Sequence, residues 1–140
     1  MANTHLLTEW WIGAAGGVSV TKPIHAAETV SVTLEQALTR DPDGMVVRTT
    51  ADAEHLRTDP RFAILRATRT GRIHVTPTAA HLWAYRTSEQ PLTVLWAAKT
   101  FYPDRFADLD LAAEARAFYA RFYGVELTEE QVAETLASGM

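Results

Sequence analysis

Apolar positions in this chain come in short blocks, some spaced like a helix face and some like a buried strand. The spacing predicts a helix over 6–15 that stops at Gly16 and Gly17, with Asn3 or Thr4 available to cap it. A β-branched run at 28–32 predicts a strand. Thr33 and Gln36 then fit a capping box that opens a helix to about Thr39. The turn residues of 41–44 lead into a buried-type strand at 45–48. Residues 51–65 read as a helix interrupted by Pro60. Thr70 and Gly71 turn the chain into a strand at 72–76, which Pro77 closes. Helices are expected over 89–101, 111–123 and 128–137, the last capped by Thr128 with Glu129 and Glu130 in its first turn.

Helices that alternate with strands in this order imply an α/β fold with a small, mostly parallel sheet covered by helices on both faces. Three strands are few for such a sheet. No repeat, low-complexity tract or linker interrupts the chain, and 140 residues suit one domain over 1–140.

Composition narrows the function classes. A net charge of −4 and the absence of a basic stripe argue against nucleic acid. The chain has no cysteine, which excludes disulfides, iron–sulfur clusters and thiolate zinc sites. Its apolar runs are too short for membrane insertion. No charged leader or cleavage site precedes the first helical segment, so the chain as written is expected in the cytoplasm. The five histidines form no close pair with a carboxylate on one helix, so no metal site and no cofactor are expected. Phosphate loops, nucleophile elbows and paired carboxylates are missing too, which argues against an enzyme.

Several blocks carry a resemblance. WIGAAGGV at 11–18, VTLEQ at 32–36 with DPD at 41–43 and MVV at 45–47, and GRIHVTP at 71–77 follow one another in order. LWAAKTFYPDRF at 95–106, FY at 118–119, RFYG at 121–124 and LTEE at 127–130 complete the series. Together they resemble the carboxy-terminal lobe of solute-binding proteins for ferric siderophores, haem and cobalamin, the class whose two lobes are joined by one long helix. The resemblance implies a Rossmann-like lobe that begins after the first strand of a full lobe. It implies a ligand-binding part of an ABC uptake system for iron complexes, a ferric siderophore or haem first, a corrinoid or oxyanion next. The other reading is a stand-alone or split-gene remnant that serves as a protein-interaction module.

Ligands of open α/β sheets bind at the carboxyl ends of the strands, which directs attention to the loop over 77–89. Family members carry ligand-facing aromatic and basic residues there, so the resemblance points to Trp83, Tyr85 and Arg86, with His81 as an axial haem ligand. Thr49 and Thr50, after the 45–48 strand, are weaker candidates. Tyr and Trp supply rigid apolar area and Arg a fork for carboxylate or catecholate oxygens. Phe118, Phe122 and Leu111 share one helical face and Tyr119 and Tyr123 the adjacent one, and this aromatic stripe reads as core packing.

Partners follow from the same resemblance. Such proteins dock on a membrane permease through an acid in the helix before the AGG motif. Gly13 stands at that position here, and Glu9, one turn earlier on the same face, is the substitute. Family members are periplasmic or cell-surface proteins. The lobe alone is expected to leave an edge uncovered, and so to form a homodimer or to complement a separate amino-terminal lobe.

Overall fold

A computed structural model describes residues 2–21 and 29–137 of the chain, without the side chains of 2–9, 29 and 30. The reading of His25 therefore lies outside the described residues, as does that of the Glu9 side chain.

Two short strands make the central sheet. β3 (Met45–Val47) and β4 (Ile73–Val75) run parallel, with Met45 opposite Ile73 and Val47 opposite Val75. Alternation along each strand sends Met45, Ile73 and Val75 to one face and Val46 and His74 to the other. On the first face lies a core of Met45, Ala53, Leu56, Leu65, Ala67, Ile73 and Val75, closed by α3 (Thr50–Thr58) and the four-residue α4 (Arg66–Arg69). On the second face Val46 packs against a larger core. Trp11, Ala15, Trp83, Leu92, Trp96, Ala97, Ala98, Ala115 and Tyr119 build it from α1 (His5–Ala14) and its end, the 77–89 loop, α5 (Gln90–Phe101) and α6 (Leu111–Tyr123). Helices thus cover both faces of a small parallel sheet, as expected.

The caps read at Thr33 and Thr128 are in place, whereas the Asn3 and Thr4 side chains lie outside the described residues. Thr33 Oγ1 accepts from Gln36 N–H at 3.2 Å, and Gln36 Oε1 accepts from Thr33 N–H at 3.0 Å, opening α2 (Leu34–Arg40). The same reciprocal pair, Thr128 with Gln131, opens α7 (Glu129–Ala137) at 2.9 and 3.2 Å. Pro60 ends α3 and starts a 3₁₀ turn, Pro60–Phe62, because proline cannot continue the helical hydrogen bonding. Gly17 has a steric reason. A Cβ there would stand 2.9 Å from Ile12 Cγ2 and 3.1 Å from Phe101 Cε2, so a side chain would push α5 off the end of α1.

Two expectations are corrected. The strand expected at 28–32 does not join the parallel sheet. It forms β2 (Thr29–Ser31), antiparallel to β1 (Ala2–Thr4), an element the sequence pattern does not predict. A three-residue strand of Ala, Asn and Thr has no apolar alternation to betray it. It exists because a backbone partner lies alongside. Secondly, Phe122 is 65% exposed, whereas Tyr119 is the buried member of the α6 stripe. The register of α6 on α5 buries Tyr119, half-buries Phe118 and leaves Phe122 and Tyr123 exposed.

Candidate functional site

Parallel strands place their carboxyl ends on one edge of the sheet, so the residues after β3 and those after β4 meet there. Arg48 is the first residue after β3. Its Nη1 donates to the Tyr85 hydroxyl at 3.0 Å, across 37 positions of sequence. That bond raises the pKa of the Arg48 guanidinium, which keeps its charge fixed at the mouth of the site. Tyr85 is 47% exposed, and Arg86 beside it is exposed as well. Arg48 and Tyr85 therefore meet at one strand-end edge, with Arg86 next to Tyr85 in the loop. Thr49 is occupied locally instead. Its Oγ1 caps α3, accepting from Asp52 N–H at 3.0 Å and donating to Asp52 Oδ2 at 2.8 Å.

The loop behind these groups is held in shape from below. Trp83 has 0% exposure and sits in the larger core, which corrects its reading as a ligand-facing residue: it offers a ligand no surface. Its N–H donates to Pro77 O at 3.0 Å, and its carbonyl accepts from the buried Thr93 hydroxyl. Buried Glu89 accepts from His81 N–H at 2.9 Å, and the same Oε2 lies 3.3 Å from His81 Nδ1. Tyr119 accepts from Ala80 N–H at 3.3 Å, and Tyr123 shares a hydrogen bond with Ser88 Oγ. The loop is therefore tied at both ends and at its middle, so Tyr85 and Arg86 project from a preformed support.

Sequence reasoning finds the loop and misses much of its support. Arg48 is readable only as the end of a strand, and its role appears when β3 and β4 pair in register. Tyr119 and Tyr123, expected to serve packing, also carry the loop.

Below the mouth, a cavity of about 1000 Å³ runs down beside β3. Gly17, Val18, Val20, Gly44 and Val46 line it, together with Arg48 and Tyr85. His81 and Arg86 are not part of its lining. Among the described residues no cluster of three or more His, Asp or Glu side chains could hold a metal ion, and no helix is long and apolar enough to cross a membrane.

Comparison with known proteins places the fold. No family model matches the chain. It is 30% identical over 95 residues to the molybdate-binding protein MolA of Haemophilus influenzae, covering 66% of this chain and 27% of that protein. Among solved structures, an ABC transporter solute-binding protein from Sulfurospirillum deleyianum matches with a TM-score of 0.82 at 23% identity, over 96% of this chain and 43% of that one. A periplasmic solute-binding protein from Veillonella parvula matches at 0.77 and 22%, over 93% and 42%. Molybdate-bound MolA matches at 0.75 and 26%, over 87% and 38%. The chain thus spans less than half the length of each of these relatives. Its relatives are solute-binding proteins of ABC transporters, and its fold is that of one lobe of such a protein.

Proposed function

We propose that this chain is the carboxy-terminal lobe of a solute-binding protein of an ABC uptake system and carries one wall of its ligand cleft. Arg48, Tyr85 and Arg86 form that wall. The observation that supports the reading is the 3.0 Å hydrogen bond from Arg48 to Tyr85, which ties the residue after β3 to the loop that follows β4 in one exposed polar patch. Two guanidinium groups beside a phenol suit an anion with a flat or greasy part. An iron chelate, a ferric siderophore or haem, fits that description. Molybdate is the second reading, supported by the likeness to MolA and by the arginines. His81 belongs to the haem version, since a carboxylate against Nδ1 orients an imidazole that ligates through Nε2. The relatives favour a ligand-binding role over a bare interaction module. Glu9, one helical turn before Gly13 on α1, is the proposed contact for the permease.

The test is a titration of the protein with haemin, a ferric catecholate and molybdate, followed by NMR shifts of the backbone amides. Shifts concentrated at 48 and 85–86 are expected, with Arg48→Ala weakening binding by roughly 10- to 150-fold, the loss of one charge-assisted hydrogen bond. Saturable shifts elsewhere, or none with any of the three, would refute the assignment.

A further inference from the structure

A helical threonine commonly turns its hydroxyl back on its own helix. In this chain Thr39, Thr58 and Thr135 each donate to the carbonyl four residues earlier, and so does Thr70 at the end of α4. Thr93, near the start of α5, does not. Its hydroxyl donates to Trp83 O, ten residues back in the 77–89 loop. Glu89, the residue before α5, departs from local habit in the same direction. A side-chain oxygen at that place can accept from the first helical amides, yet Glu89 makes no capping bond. Its Oε2 reaches back eight residues to His81 N–H at 2.9 Å instead. Glu89 and Thr93 stand one helical turn apart on the same face, and each has 0% exposure. Burying a carboxylate is unfavourable, and here Oε1 has no hydrogen-bond partner among the described residues. An apolar side chain would fill the space without that penalty, so packing alone does not explain an acid at 89.

From these features we infer that Glu89 and Thr93 are positioning residues for the ligand wall: from one face of α5 they fix the backbone at 81 and 83, and so aim Tyr85 and Arg86. The inference rests on the reading of Tyr85 and Arg86 as that wall. Tyr119 of α6 holds the preceding peptide, Ala80 N–H, at 3.3 Å. Three peptide groups within four residues thus take a side-chain partner from outside the 80–83 stretch. Tyr85 N–H donates in turn to Leu82 O at 3.0 Å, so a shift of the backbone at 81–83 carries on to Tyr85. Ordering a loose loop on binding weakens affinity, and anchors inside the protein remove that loss before the ligand arrives.

Three substitutions test this. Glu89→Gln keeps an oxygen for His81 N–H and is expected to stay within about threefold of the parent in ligand affinity. Glu89→Leu removes that acceptor, and Thr93→Val removes the hydroxyl at similar shape; each is expected to weaken binding about tenfold or more. The probe is whichever of haemin, a ferric catecholate and molybdate the parent binds. Backbone ¹⁵N relaxation of the ligand-free protein is the second readout. Lower order parameters are expected at 85 and 86 in the Leu and Val variants, and parent values in the Gln variant. Leu65→Ala lowers stability from the smaller core, on the other face of the sheet, and as the control is expected to change neither readout. Should Glu89→Leu unfold, Thr93→Val alone decides. Variants that melt earlier yet keep their order at 85 and 86 overturn the inference, since the pair then only packs the start of α5. So does loss of that order without loss of affinity, or a Gln variant as loosened as the Leu one. If the parent binds none of the three probes, it is the ligand wall that fails, and relaxation still decides whether Glu89 and Thr93 hold the loop.

Discussion

Trp83 separates a packing role from a ligand-contact role in one substitution, Trp83→Ala. The indole has 0% exposure and is surrounded by the larger core. Truncating a buried Trp to Ala removes its burial energy and leaves a hole, together about 3–5 kcal/mol. The backbone bonds to Pro77 and Thr93 do not need the side chain, so the loss is one of packing. A chain of this length has roughly 7–20 kcal/mol of stability at ordinary values per residue, so the variant keeps a measurable transition except at the low end. With a urea dependence of about 1–3 kcal/mol/M, a fall in the unfolding midpoint of about 2 M is expected. Trp83→Phe guards against outright unfolding. It keeps most of the apolar volume and deletes an indole N–H that has no hydrogen-bond partner, so it should change stability by less than about 1.5 kcal/mol. Hydrogen exchange over 78–88 should quicken in the Ala variant, since the middle anchor of the loop is gone. A Trp83→Ala protein within about 1 kcal/mol of the parent, yet unable to bind its ligand, would refute the core assignment and return Trp83 to the cleft.

Two other outcomes are expected from substitutions away from the cleft. Gly17→Ala puts a Cβ at 2.9 Å from Ile12 Cγ2 and should cost about 1–3 kcal/mol, whereas Gly13→Ala meets nothing within 4 Å and should gain about 0.5–1 kcal/mol of helix stability; thermal melts of the pair read both signs. His74 is pushed below the usual imidazole range of 6.5 by burial, with Arg72 and Arg57 adding to the effect. The unfolded chain therefore binds the proton first. His74 favours the fold fully above about pH 6.5, and that contribution is lost as pH falls from there toward the lowered folded value. The slope of unfolding midpoint against pH below 6.5 should flatten in His74→Gln, and an unchanged slope would show that another group carries it.

Elements governed by neighbours within a few residues were readable in the sequence. The capping box at Thr33, the cap at Thr128, the break at Pro60, the close of α1 on its glycine pair and the helix–strand alternation all arise from hydrogen bonds and dihedral limits inside one short segment. The loop after β4 could be named as the candidate site because parallel strands share a carboxyl edge whatever their side chains are.

What only the tertiary structure decided were the facts that join distant segments. Trp83 inside and Tyr85 outside, two residues apart in an irregular loop, have no periodicity to distinguish them; the Thr93 and Pro77 bonds set which one turns in. The Arg48–Tyr85 contact, the tyrosines of α6 under the loop and β2 beside β1 depend on which backbone lies next to which. Pairing of that kind is a property of the assembled chain, since each strand is three residues long and too short to encode its own neighbour.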